Sequence, residues 1–170
     1  MKIILLRHCE SLSRKQAKVE HDAERPLSET GRRQGKFIAK TINNLGISPE
    51  AIFCSPFVRT QQSAQIIGYN LKRQQTPIPV SLLAPGSGLS DLLAVCRNYH
   101  ENYKEDWMIA ILHEPDVSFI LGTSLCSGAE YPVLVHEGDM FAIDVNSEQE
   151  PGKMLFSFST SQMLVEEPEK

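Results

Sequence analysis

Two histidines and two arginines stand where apolar runs end. Arg7-His8 follows the run begun at Lys2-Ile3-Ile4-Leu5-Leu6, Ser55-Pro56 with Arg59 follows Ala51–Ser55, and His113 follows Trp107–Leu112. Guanidinium forks match phosphate oxygens and keep their charge near neutral pH. A neutral histidine is a nucleophile able to carry a covalent phosphoryl group, and a protonated one stabilises the oxygens of a phosphoryl transition state. Singly these residues say little, since a histidine at a strand end is often only a hydrogen-bonded structural residue. Together they suit phosphoryl chemistry.

The elements that position them can be read from pattern. Lys2–Arg7 and Ala51–Ser55 read as short buried strands, and Trp107–Leu112 is the clearest strand in the chain. Ser28 caps a helix running to about Asn44 with Gly46 as its stop, and Gly35, Ile38, Ala39, Ile42 and Leu45 form its buried stripe. Pro56 suits the first turn of a helix to about Ile67, before Gly68. A short strand around Val80–Leu82 follows, then a helix capped by Ser90 and reaching about Tyr103. His113-Glu114-Pro115 opens another helix ending near Leu125. Phe141–Asn146 and Met154–Thr160 read as a hairpin on the sheet edge.

Strands alternating with helices predict an α/β three-layer sandwich, its mainly parallel sheet covered by helices on both faces. Ligands bind at the carboxyl ends of strands in open sheets of this kind. Arg7-His8, Ser55-Pro56-Arg59 and His113 therefore arrive at one edge.

The chain has 170 residues, 41% of them hydrophobic and 22% charged, as expected of one globular domain. The domain is expected over 1–165, with a frayed acidic tail at 166–170. No apolar run is long enough to span a bilayer and the N-terminus lacks a secretory pattern, so no membrane partner and a cytoplasmic location are expected. Net charge is −4, although residues 1–40 hold ten of the 17 Lys and Arg against five of the 21 acids. An acidic whole argues against a nucleic-acid partner, and Arg32, Arg33, Lys36 and Lys40 read as a solvated helix face. The four cysteines are scattered without a C-x-x-C pair, which suggests neither a disulfide framework nor a zinc site. The five histidines show no ligand spacing either, so neither metal nor cofactor is implied; His21, His100 and His136 read as surface residues.

Leu6-Arg7-His8-Cys9-Glu10 resembles the signature of the histidine phosphatase superfamily, which includes the phosphoglycerate mutases. Arg25-Pro26-Leu27-Ser28-Glu29-Thr30-Gly31 is similar to its Arg-Pro-Leu-Thr-x-x-Gly segment. The stretch Ser55-Pro56-Phe57-Val58-Arg59-Thr60-Gln61-Gln62-Ser63-Ala64 is similar to its Ser-Pro-x-x-Arg-x-x-Gln-Thr-Ala, and Leu112-His113-Glu114-Pro115 to its second histidine motif. Short length and the Ser-Pro-Phe form resemble the bacterial SixA-like phosphohistidine phosphatases. The resemblance implies that His8 is the nucleophile and that Arg7, Arg59 and a charged His113 bind phosphate oxygens. It makes Arg25 a further phosphate ligand.

Two departures stand out. The family usually has glycine where Cys9 stands; a small side chain turned into the core is the favoured reading, a redox switch the other. Larger members carry a glutamate general acid after the second helix, whereas Pro79–Gly88 has no carboxylate. Asp22 and Glu24 are the remaining candidates, of which Glu24 reads as a solvated loop charge. The leading expectation is a phosphatase acting on a phosphorylated protein, such as a histidine phosphotransfer domain. A small phosphorylated molecule is the alternative substrate, and a phosphate-binding regulatory module with little turnover the rival of another class.

Overall fold

A computed structural model describes residues 1–99, 107–126 and 134–161. Strands β1 (Lys2–Arg7), β2 (Ala51–Cys54), β3 (Ile78–Pro79), β4 (Trp107–Leu112), β5 (Met140–Asp144) and β6 (Lys153–Phe158) form one sheet, ordered β3-β2-β4-β1-β5-β6. The first four in that order are parallel, while β5 runs antiparallel to β1 and β6 antiparallel to β5. The helices are α1 (Arg14–Ala17), α2 (Glu29–Asn44), α3 (Val58–Asn70), α4 (Leu89–Tyr99) and α5 (Asp116–Cys126). This is the expected α/β sandwich, edge hairpin included.

The all-apolar strands explain its three layers. Successive side chains of a strand point to opposite faces, and Ile3, Ile4, Leu5 and Leu6 are all fully buried. Ile3 and Leu5 join Met108, Ala110 and Leu112 of β4 in a core closed by Leu92, Leu93, Ile120 and Leu121 of α4 and α5. Ile4 and Leu6 join Ile109 and Ile111 in a second core, closed by Ile38, Ile42, Ala64 and Ile67 of α2 and α3. Strands buried on both sides need no alternation of polarity, which is why β1 and β4 read as plain apolar runs.

Several boundaries differ from expectation. Leu45 is exposed beyond the end of α2, because the chain leaves the helix there before Gly46 turns it at φ +70°. Pro56 precedes α3 rather than opening it, and α3 runs through Gly68 to Asn70. Gly68 is a packing residue instead of a stop: a Cβ there would collide with the Gln75 carbonyl oxygen. The short strand is Ile78–Pro79, and Ser81–Leu83 forms a 3-10 turn. Ser90 lies within α4, which already starts at Leu89. Its expected end at Tyr103, His100 and the tail 166–170 lie outside the described residues. Arg32, Arg33, Lys36 and Lys40 are exposed on α2 as expected. Cys9, Cys54 and Cys96 are buried, while Cys126 is half-buried. Among the described residues no helix is long and apolar enough to cross a membrane.

Candidate active site

The carboxyl ends of β1, β2 and β4 deliver the expected residues to one crevice. The sheet pairing continues into the loops: His8 N donates to Leu112 O at 3.0 Å and Ser55 N to Ile111 O at 3.2 Å. His8, Ser55, Arg59 and His113 are buried, with His8 5% exposed and His113 2%. The two imidazole rings lie 5.4 Å apart, edge to face.

Arg59 joins them. Its Nε donates to His8 Nε2 at 3.1 Å, and its Nη2 lies 3.2 Å from His113 Nδ1. Its Nη1 donates to the main-chain oxygen of Asp22 at 2.8 Å and pairs with the Asp22 carboxylate at 3.0 Å. A neutral ring has one donor nitrogen and one acceptor nitrogen, so these partners assign the protons. His8 Nδ1 faces the Cys9 carbonyl at 2.8 Å and must carry its hydrogen, which leaves the lone pair on Nε2. His113 Nδ1 accepts from Arg59, and Nε2 donates to Ser55 Oγ at 2.8 Å.

The electrostatics agree. Burial, then the charges of Arg59, His113 and Arg7, overcome the Cys9 hydrogen bond and push His8 down to about 3. Burial and the charges of Arg59 and Arg7 push His113 down to about 4, against the pull of Asp22. The charge expected on His113 is therefore opposed by its surroundings in this structure. Two cationic neighbours and a dry pocket disfavour it until an anion arrives.

Arg7 turns its Nη1 to the Val135 carbonyl at 2.7 Å, while its buried Nε has no hydrogen-bond partner among the described residues. Its charge is felt at both rings. Arg25 is engaged differently. Nε donates to Leu12 O at 2.6 Å, Nη1 to Asp22 Oδ1 at 3.0 Å and Nη2 to Ser11 Oγ at 2.8 Å. Its guanidinium is thus committed to its own loop, and it reaches Arg59 as a repelling charge.

Asp22 is brought to the site, but in the wrong state for an acid. Its slight burial favours the proton, yet the hydrogen bond and charge of Arg25 and the charge of Arg59 hold it below the usual carboxylate range. Glu24 is the last residue of the 3-10 turn Asp22–Glu24 and binds the His21 N–H from there, as a loop residue would.

The motif residues around these groups brace the loops. Ser28 caps α2 by accepting from Gly31 N at 3.0 Å, and its own N–H donates to Glu10 O at 3.0 Å. A Cβ at Gly31 would collide with that Glu10 oxygen, so glycine lets α2 seat directly against the loop after His8. Gln62 accepts from Leu27 N at 2.8 Å, and Ser63 accepts from Cys9 N at 3.0 Å while donating to Arg59 O at 2.7 Å. Cys9 itself faces the core between α2 and α3, and burial pushes its thiol up to about 12.

One carboxylate not singled out from the sequence also enters the site. Glu137 Oε1 lies 3.9 Å from His8 Nδ1, on the ring edge opposite Arg59. No spacing rule marks it, because it sits 129 positions later, in the loop before β5. Only the antiparallel pairing of β5 with β1 brings it there.

Residues 3–81 match the model of the histidine phosphatase superfamily (branch 1). An uncharacterised protein of a Picosynechococcus strain is 28% identical over 119 residues, 69% of this chain and 68% of that one. Other curated relatives are matched over 23% to 30% of their own length. The solved structure of the protein histidine phosphatase SixA complexed with tungstate superposes with a TM-score of 0.80 at 18% identity, over 96% of this chain and 99% of that one. A phosphoserine phosphatase from Entamoeba histolytica, complexed with 3-phosphoglyceric acid, does so at 0.60 and 16% identity, over 95% and 98%. At these identities the likeness is one of fold. The segment that matches the histidine phosphatase superfamily, residues 3–81, carries Arg7, His8, Arg25 and Arg59, and the fold around it is shared nearly end to end with SixA.

Proposed function

We propose that this chain is a metal-independent phosphatase that works through a phosphohistidine on His8, and that it removes phosphoryl groups from histidine on a partner protein. A histidine phosphotransfer domain is a substrate of the right chemistry. The observation that carries the reading is the state of the His8 ring. Nδ1–H is held by the Cys9 carbonyl, so Nε2 presents a lone pair beside Arg59, Arg7 and His113.

In the first step the Nε2 lone pair attacks phosphorus, and the bond from phosphorus to the leaving nitrogen breaks with its electron pair. In the second, water attacks phosphorus, the P–Nε2 bond breaks, and the pair returns to Nε2. The water supplies one hydrogen to the phosphate product and releases the other as a proton. Arg7 and Arg59 are assigned to the phosphoryl oxygens, where guanidinium donors act without rearranging in the transition state. His113 takes up a proton as the dianion enters and then donates from both ring nitrogens. Arg25 is assigned to holding Asp22 and the loop rather than the phosphate, given its three loop contacts. Residues 1–165 would act as a single domain.

The near-complete likeness to SixA supports a protein-borne phosphohistidine. The weaker likeness to the phosphoserine phosphatase supports a second reading, a small phosphomonoester as substrate. The deciding experiment is turnover of phosphohistidine peptides and phosphomonoesters by wild type and His8→Ala, with an acid-free quench to trap label on His8. Full turnover by the variant would end the nucleophile assignment. No turnover by wild type on any substrate would favour a phosphate-binding module.

A further inference from the structure

The carboxylate of Glu137 faces the one ring nitrogen that the two-step chemistry leaves untouched. We propose that Glu137 is a positioning residue that keeps the proton on Nδ1 of the phosphorylated His8 ring, so that the ring departs as neutral imidazole; this rests on the phosphohistidine reading above.

Phosphorylation of Nε2 turns a neutral ring that keeps its Nδ1–H into a cation, and makes that hydrogen acidic. If it is lost, water must expel an imidazolate anion, a far poorer leaving group than neutral imidazole. The surroundings pull both ways. Arg59, Arg7 and His113 all disfavour positive charge on the ring. The Cys9 carbonyl accepts the hydrogen at 2.8 Å but bears no full charge. Asp22, the other carboxylate near Arg59, is paired with Arg25 and Arg59. Glu137, at 3.9 Å from Nδ1, is the acidic group that forms an ion pair with the ring once it is cationic.

Its place is built. Arg7 Nη1 donates to Val135 O at 2.7 Å, Arg7 N to Asp139 O at 3.1 Å, and Gly138 N to the Arg7 and His8 carbonyls at 3.2 and 3.1 Å. Five residues therefore strap Glu137 across the backbone of the nucleophile. Gly138 turns the strap at φ +83°, where a Cβ would also collide with Thr160 Oγ1. Gln34 fastens it to the loop after His8, donating to Glu137 O at 3.0 Å and accepting from Glu10 N at 2.8 Å. Burial, with Glu10, raises the Glu137 carboxyl above its usual range, against Arg7, the Ser11 N–H and Arg25, and a cationic ring at 3.9 Å adds a further pull towards the carboxylate.

The test is the decay of the His8 phosphoenzyme, formed with phosphoramidate and freed of donor, followed from pH 6 to pH 9. Glu137→Gln keeps the size and the acceptor for Ser11 N–H but removes the charge. Its alkaline limb is expected about one pH unit lower than that of wild type, giving a deficit of about tenfold at pH 8 that shrinks towards pH 6. Should the glutamine variant not fold, Glu137→Asp is expected to place the limb between that of wild type and neutrality. Superimposable profiles, or uniform slowing at every pH, overturn the proposal for Glu137 alone. Absence of any His8 phosphoenzyme in wild type overturns it together with the phosphohistidine reading.

Discussion

Arg59 Nε donates to His8 Nε2 across 3.1 Å, so the nitrogen that holds the lone pair is met by the guanidinium that an incoming phosphoryl group needs. Nucleophile and phosphate oxygen compete for one donor. The competition is local, because Arg59 Nη1 stays tied to the Asp22 carbonyl and carboxylate. Exchanging the ring for an oxygen at Nε is then a small pivot about a fixed end.

Replacing Arg59 should therefore damage chemistry more than folding of the sheet. Arg59→Ala is expected to lower kcat/KM by about 10²–10³-fold, the range for loss of one preorganised donor to a transition state. Arg59→Lys should recover little, since an ammonium cannot meet His8, His113 and Asp22 from one planar fork. Near-complete recovery with lysine would show that only charge matters at this position.

Stability should fall with acid well above the carboxylate range. His8 and His113 titrate at about 3 and about 4 in the fold, both displaced chiefly by burial, against 6.5 in the unfolded chain. Below pH 6.5 the unfolded chain binds more protons, so stability present above 6.5 is lost as pH falls towards those folded values. Thermal melts should show Tm dropping between pH 6.5 and 5, where few carboxylates titrate, and the double variant His8→Asn/His113→Asn should flatten that slope. An identical slope in the double variant would show that these rings are not buried as neutral groups.

Much of this arrangement is legible in the sequence. Ile3–Leu6 and Met108–Leu112 are apolar at every position, and only a strand covered on both faces uses such a run, so layers and sheet followed. Motif order then put His8, Arg59 and His113 at one edge. What escaped depends on burial or on partners remote in the chain. The opposition to a charge on His113 comes from desolvation and from Arg59 and Arg7, none of it visible locally. Gly68 looked like a helix stop, since glycine serves packing and termination alike and only the neighbouring Gln75 carbonyl separates them. Glu137 had no motif at all. Its place is set by the register of β5 on β1, where Leu6 pairs with Met140 three residues beyond it.

Cys9 should be chemically quiet. The side chain is fully buried and its thiol is pushed up to about 12, so little thiolate exists for oxidation. Cys9→Gly is expected to keep activity within about tenfold, a change of roughly 1.4 kcal/mol in barrier. Peroxide should inactivate wild type and variant alike or neither; selective protection of the variant would assign Cys9 a redox role.

Vanadate should inhibit competitively, and excess chelator should leave activity intact. The motive is that Arg7, Arg59 and His113 already supply the positive charge and hydrogen-bond donors that a phosphoryl group requires. Activity lost on chelation and restored by a divalent ion would refute the metal-independent mechanism.

Substrate preference should follow the leaving group. An alkoxide departs poorly unless an acid protonates it, and such help is typically worth about 10²–10⁴-fold. Asp22 is the carboxylate placed beside Arg59, yet Arg25 and Arg59 hold it ionised, so at neutral pH it has no proton to give. A phosphohistidine substrate avoids the difficulty, because its ring is protonated near neutral pH and departs as a neutral molecule. Aryl phosphates should fall between, as phenolate leaves more readily than alkoxide. The measurement is kcat/KM for a phosphohistidine peptide, an aryl phosphate and an alkyl phosphate, each with wild type and Asp22→Asn. The expected order is phosphohistidine, aryl, alkyl, and Asp22→Asn should affect all three to a similar degree by loosening the tether on Arg59. If the alkyl ester is the best substrate and Asp22→Asn removes that activity selectively, Asp22 acts as an acid despite its arginines. The small-phosphomonoester reading would then replace the protein-directed one.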